Sequence, residues 1–270
     1  MAKWKGNPVA GGASGNVSRE TVEKIPAAVA TVKVTVEVIA VDGPAGVGKS
    51  SVARRLAERL GYYFLSSGLI YRCMAWYLTE RGWDGSGKPD AAPLESMTLR
   101  IGADGEPIVD GSAVPADLRS ERISTLASVV SANPAVRERS NGLQRAIVAD
   151  IGATGAYPGV ILEGRDIGTV VFPDAPKKFF LTASDEVRAE RRYLELKTGD
   201  PKVSREAVLE AIRERDHRDR TRDVAPLKAA DDAIVVDTSG LDLDGVLEAI
   251  LGHFDLGPND LGPNDPGHCS

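Results

Sequence analysis

The sequence predicts an α/β domain of the P-loop type, built on a five-stranded parallel sheet. Three observations carry that expectation. An apolar, β-branched run covers 34–41, the run Gly43-Pro44-Ala45-Gly46-Val47-Gly48-Lys49-Ser50 follows it directly, and short apolar runs then alternate with helical segments. The first reads as a strand buried on both faces. The second fits G-x-x-x-x-G-K-[ST], whose backbone N–H groups wrap phosphates while the lysine faces the outer phosphates and the hydroxyl takes Mg²⁺. After Ser51, residues Val52, Leu56 and Leu60 fall on one helical face, and Gly61 supplies a C-cap. Strand, loop and helix in this order place an anion site at a helix N-terminus. Nucleoside triphosphate binding is therefore expected at residues 43–51, with Lys49 on a surface loop.

The remaining elements follow the same logic. Apolar runs at 62–65, 160–162, 178–181 and 233–236 bring the strands to five. Asn133-Pro134 offers an N-cap and a proline at N1 for a helix carrying Val136, Leu143, Ile147 and Ile151. Ser184 and Ser204 can cap two more helices, and 242–254 carries a last one. Such alternation implies a parallel sheet covered on both faces. One stretch breaks the rhythm: 99–101 and 108–109 flank Asp104-Gly105, with Asp110-Gly111 following, which predicts a small antiparallel insert over about 90–120.

Composition narrows the function classes. With 42% hydrophobic residues over 270 positions there is material for a sizeable core. A net charge of −6 argues against a general nucleic-acid or anionic-membrane binder. Cys73 and Cys269 are far apart and lack metal-type spacing, so a reducing cytoplasm is expected. No apolar run approaches the ~20 residues of a spanning helix. Residues 1–31 hold no continuous apolar segment, and Arg19 stands beside Glu20 and Glu23, so a flexible extension is expected there. Leu-Gly-Pro-Asn-Asp occurs twice within 256–265, which predicts a disordered tail over 256–270.

Two further regions carry chemistry. Residues 188–222 hold nine arginines and two lysines against eight acids. Arginine offers planar, bidentate donors suited to phosphates. Arg188, Arg191 and Arg192 lie at i, i+3 and i+4 on one face, and Arg215, Asp219 and Arg222 share another. Alone, such a helix reads as a solvated surface laced with ion pairs. Beside a phosphate loop it reads as the positive charge that phosphoryl transfer requires. A nucleic-acid role is disfavoured because Tyr193 is the segment's lone aromatic. The block Leu162-Glu163-Gly164-Arg165-Asp166-Ile167-Gly168-Thr169 follows a buried strand, which places it at the ligand-binding carboxyl edge. Glu163 and Asp42 are rival carboxylates for Mg²⁺.

Four stretches together resemble the bacterial cytidylate kinases: the phosphate loop, Ser67-Gly68-Leu69-Ile70-Tyr71-Arg72, the block from Glu163 to Pro173, and Arg215-Asp216-His217-Arg218-Asp219-Arg220-Thr221-Arg222 with Ala225-Pro226-Leu227. Order and spacing match over about 37–255. The resemblance implies a P-loop NTPase core with a five-stranded parallel sheet, a small nucleoside-monophosphate-binding insert and an Arg-rich helical lid at about 184–204. It implies phosphorylation of CMP and dCMP by ATP with Mg²⁺, in a cytoplasmic monomer.

Residue by residue, the resemblance implies that Arg72, Arg165 and Arg222 hold the acceptor phosphate or the transferring group. Ser67 would join them on the substrate. Ser128, Arg137 and Asp166 would read cytosine, and Arg215 and Asp219 the sugar. Arg188, Arg191 and Arg192 would sit in the lid, with Arg188 and Arg192 among the catalytic set. Cofactor contacts would come from Gly43 through Ser51, including Lys49, and metal contact from Ser50. One departure stands out: the family usually has Asp before its Ser/Thr-Gly, whereas this chain has Ser66. Ser66-Ser67-Gly68 is similar to the Ser-Thr-Gly of adenylate kinases, making AMP the alternative acceptor, with UMP also open. A P-loop regulator that binds nucleotide without turnover is the reading from a different class.

Overall fold

The computed structural model describes residues 36–102, 105–199 and 202–255. The expected extension at 1–31, strand residues 34–35, Asp104 of the insert turn, 200–201 of the lid segment, and the tail at 256–270 with Cys269 lie outside the described residues. In chain order the elements are β1 (Glu37–Asp42), α1 (Lys49–Leu60), β2 (Tyr63–Ser66), α2 (Ser67–Thr79), β3 (Leu99–Ile101), β4 (Pro107–Val109), β5 (Ser112–Ala113), α3 (Glu121–Val130), α4 (Pro134–Thr154), β6 (Gly159–Gly164), β7 (Lys177–Thr182), α5 (Asp185–Lys197), α6 (Arg205–Thr221), β8 (Ile234–Asp237) and α7 (Leu243–Leu251). A single π-helical turn, Ile167–Val171, follows β6.

Two compact units emerge. One combines Glu37–Ser67 with the chain from Gly159 onward, and contains a five-stranded parallel sheet in the order β2-β6-β1-β7-β8. All five expected strands form, within one to three residues of the expected bounds. β1 and β6 are interior strands, and their burial, unbroken from Val38 in β1 and throughout β6, explains why they read as apolar runs. Ile39, Val41, Leu56, Phe179, Leu181, Val246 and Ile250 fill the core between sheet and helices. Register then fixes the site. Ser66 is level with Glu163, and Asp42 with both Gly164 and Phe180, so three strand ends meet at one carboxyl edge.

The expected helix starts hold, whereas the last helix stops at Leu251 with Gly252 as its cap, short of the expected 254. Gly61 caps α1 in the left-handed region at φ 67°. Ser184, Ser204 and Asp242 accept at the starts of α5, α6 and α7 from Val187 N, Ala207 N and Gly245 N. One local feature demands glycine without alternative: Gly43 has φ 146°, and an added Cβ would lie 2.3 Å from Leu181 O.

The other unit spans Gly68–Pro158, so the antiparallel insert expected at about 90–120 belongs to a larger body. Its small sheet runs β3-β4-β5, with Leu99 level with Val109. Asp110 (φ 49°) and Gly111 (φ 77°) make the β4–β5 turn, and the Asp110 carboxylate accepts from Thr98 N at 2.9 Å. Asn133 caps α4 as its sequence implies, accepting from Ala135 N, and Val136, Leu143 and Ile147 are buried.

Candidate active site

The phosphate loop joins β1 to α1, and Lys49, Ser50 and Ser51 form the first turn of α1. Gly43, Pro44, Ala45, Gly46, Val47 and Gly48 make the loop itself, with Val47 sunk into the core. Lys49 departs from expectation. It is not a surface side chain: it is 5% exposed, and its Nζ donates to Pro44 O at 2.6 Å. Burial pushes its pKa well below the usual lysine value, and the neighbouring Arg165 charge adds to that, while Glu163 opposes it. A cation so destabilised gains most when an anion arrives.

The rival carboxylates Glu163 and Asp42 have different partners. Glu163 Oε1 accepts from Ser50 Oγ at 2.9 Å and from Ser66 Oγ at 2.5 Å. Burial alone would raise its pKa, but Lys49, the Ser66 hydroxyl, Arg165 and the Ser50 hydroxyl outweigh it and hold the carboxyl below the ordinary glutamate range. Both Asp42 oxygens are engaged elsewhere, accepting from Ile167 N at 2.9 Å and Gly168 N at 2.8 Å. Asp42 thus clamps the turn that follows Arg165 and Asp166. Burial, countered by those two N–H groups, raises its pKa to about 6.

That shift has a definite sign. Between the ordinary value of 3.8 and about 6, the folded protein holds a proton that the unfolded chain has released. Stability from Asp42 is therefore present at low pH and lost as pH rises through 6, by roughly 3 kcal/mol in all. From pH 5 to 7.5, unfolding free energy should fall in wild type relative to Asp42→Asn by about 1–2 kcal/mol. Parallel pH curves in urea titrations would contradict this.

The arginines converge on Asp219. Arg165 Nε pairs with Asp219 Oδ2 at 3.1 Å, and Arg222 Nη1 approaches Oδ1 at 3.6 Å. Burial acts against the Asp219 carboxylate, yet Arg165, Arg215 and Arg222 hold its pKa below the usual range. Arg222 does not extend the helix face of Arg215 and Asp219; it caps α6 in extended conformation, with Nε donating to Ala225 O at 2.6 Å. Ser67 borders this group, since a Cβ added at Gly164 would lie 2.7 Å from Ser67 Oγ. Asp166 is buried just after Arg165.

The expected trio on α5 divides three ways. Arg188 is 1% exposed and pairs with Asp216 and Asp185. Arg191 donates to Thr238 O and Leu241 O beyond β8. Arg192 pairs with Glu195 along its own helix. In the Gly68–Pro158 unit, Arg72 Nε donates to Ser124 Oγ at 3.2 Å, and buried Ser128 lies one turn beyond Ser124 on α3. Arg137 is 2% exposed, donates to Ser131 O at 3.0 Å and lies over the Tyr71 ring.

Residues 39–255 match the family model described as cytidylate kinase. The chain belongs to the cytidylate kinase family. It is 45% identical to a cytidylate kinase of Pseudomonas aeruginosa over 224 residues, covering 81% of this chain and 95% of that protein. Identity to the cytidylate kinase of Methylococcus capsulatus is 44%, covering 80% and 96%.

Within this cytidylate kinase family member, three residues of consequence escaped sequence reasoning. Asp42 appeared only as a metal rival, although a carboxylate ending a strand level with Gly164 is well placed to clamp the next turn. Ser124, the partner of Arg72, carries no local signal in an ordinary helical run. Asp216 was hidden among alternating charges. Among the described residues no helix is long and apolar enough to cross a membrane, and no group of three His, Cys, Asp or Glu forms a metal cluster.

Proposed function

We propose that this chain transfers the γ-phosphoryl group of ATP to the 5′-phosphate of CMP or dCMP, yielding ADP with CDP or dCDP. The observation that carries the reading is the pairing of a buried phosphate-loop lysine with arginines pre-oriented on one carboxylate at the same sheet edge. Arg165 is near enough to Lys49 to depress its pKa, and its guanidinium is itself held on Asp219, so both groups can act on one phosphate chain. An acceptor phosphate is already anionic near neutral pH and needs no general base. Positioning and charge neutralisation then supply the catalysis.

In this reading Lys49 faces the outer phosphates of ATP, and the loop N–H groups hold the rest. Arg165, Arg222 and Arg72 hold the acceptor phosphate and transferring group, with Arg192 reaching from α5. Asp219 keeps two of them aimed, and with Arg215 it meets the sugar. Ser128, Arg137 and Asp166 read the cytosine edge, and Ser67 borders the acceptor. Ser50 and Glu163 offer hard oxygen donors that suit Mg²⁺, directly or through water. Held by Ser50 and Glu163, Mg²⁺ would supply positive charge to offset the negative charge of the phosphates. The reading includes action as a monomer in a reducing cytoplasm, where Cys73, buried with its thiol pushed up to about 12, would stay a thiol.

A coupled ADP-release assay over CMP, dCMP, UMP and AMP tests the reading. CMP and dCMP should be the best acceptors. AMP or UMP as the best acceptor reassigns the substrate, and bound ATP without ADP release from any of the four makes the chain a regulator.

Ser66 has a defined place in this scheme. Its hydroxyl donates to the same Glu163 oxygen that Ser50 holds. Ser66→Asp removes that donor and sets a second carboxylate beside Glu163, where two like charges cannot both ionise freely. The Mg²⁺ concentration giving half-maximal initial rate should rise in this variant. A fall would show that Ser66 is a handicap.

A further inference from the structure

Arg188 and Asp216 form a buried ion pair that the transfer chemistry above does not use. Arg188 is 1% exposed, and its Nη1 lies 2.6 Å from Asp216 Oδ2, itself 4% exposed at the side chain. The same Nη1 donates to Ala45 O at 2.8 Å, and Ala45 N donates to Asp216 Oδ1 at 3.3 Å. One residue of the phosphate loop is thus gripped at its carbonyl by α5 and at its N–H by α6. Asp185 Oδ1 accepts from Arg188 Nη2 at 2.5 Å and Arg213 Nε donates to Asp185 Oδ2 at 3.2 Å, which locks the pair from behind. Contact at the next residue is as close: a Cβ added at Gly46 would lie 3.3 Å from Arg188 O.

Peptide geometry gives this grip a consequence. The Ala45 carbonyl and the Gly46 N–H belong to one planar trans unit and point in opposite directions. Fixing the carbonyl on Arg188 therefore aims the Gly46 N–H away from α5. Stability alone does not require charges here, since a well-packed apolar pair serves as well or better than a buried ion pair. Ala189, Val208 and Ile212 already pack α5 on α6 without it.

We propose that Arg188 and Asp216 are positioning residues for the phosphate loop, tying it to the bases of α5 and α6 as one piece. Arg188 then serves the ATP side by orienting the loop. The inference rests on the phosphate-loop reading, which wild-type ADP binding tests separately: failure of wild type to bind ADP sinks that reading.

The test uses Asp216→Asn, Arg188→Met and the double variant Arg188→Met/Asp216→Leu. Each is compared with wild type by ADP titration calorimetry, KM for ATP and for CMP, kcat, and thermal melting. Weakening of ADP binding and a rise in KM for ATP by about tenfold or more, with KM for CMP within threefold, is expected in all three. The double variant should keep that defect while melting near wild type, because no charge is left unpaired. Wild-type ADP affinity in the double variant makes the pair purely structural and overturns the proposal. So does a large fall in kcat at unchanged KM for ATP, which would place Arg188 on the transferring group. If Arg188→Met does not fold, the other two variants decide.

Discussion

Replacing Lys49 with alanine is expected to lower kcat by at least ~10³-fold, on the order of 4 kcal/mol of transition-state stabilisation. The side chain is buried at the start of α1, its pKa is lowered by burial and by Arg165, and its Nζ donates to Pro44 O. Negative charge on the migrating group is what makes that arrangement favourable, so the loss falls on the transition state. Stability should move the other way. A base whose folded pKa is depressed costs the folded state free energy wherever the ammonium is retained, so the variant should melt at or above the wild-type temperature. Steady-state kinetics with a melting curve checks both halves, and a variant within tenfold of wild type would remove Lys49 from the mechanism.

Acceptor discrimination should be nearly as large. CMP and dCMP should exceed AMP by at least ~100-fold in kcat/KM, since a site built to hydrogen-bond one base leaves buried polar groups unpaired against another. Arg137 is the sharpest probe. It is almost fully buried and held by Ser131 O and the Tyr71 ring, so its side chain has little conformational entropy left to lose. Arg137→Met should reduce kcat/KM for CMP by ~100-fold while KM for ATP stays within threefold. Equal losses toward CMP and AMP would show that Arg137 supports the unit without reading the base.

Much of this was legible in the chain because the signals are local. The β1–loop–α1 unit combines a buried strand, obligatory glycines and a capped amphipathic helix within 25 residues, each set by backbone physics. Caps at Ser184, Ser204, Asp242 and Asn133 likewise depend on the few residues beside them. What could not be read was the destination of long side chains. Arg188, Arg191 and Arg192 share a helical spacing, yet one goes under the phosphate loop, one to the end of β8 and one along the helix. Helical period fixes a direction within about a quarter turn, and neighbours distant in sequence decide the rest. The same holds for Lys49, whose motif specifies a loop lysine but whose pKa is set by its burial, by Arg165 just past β6 and by Glu163 within it. Asp42 and Glu163 were indistinguishable as carboxylates near strand ends until the sheet register set one against N–H donors and the other against hydroxyls.

The strand order also dictates when this protein can work during its own synthesis. Among the described residues β1 pairs only with β6 and β7, and β2 only with β6. Glu37 meets Gly159 across the first ladder, so neither early strand has a sheet partner until the whole Gly68–Pro158 unit has been made. Pairing over so long a separation is slow, and the early strands remain apolar and unpaired in the meantime. The nascent N-terminal segment is therefore the part most in need of protection on the ribosome. Nucleotide affinity, which needs the loop seated on β1, marks the moment β6 and β7 have closed on that strand.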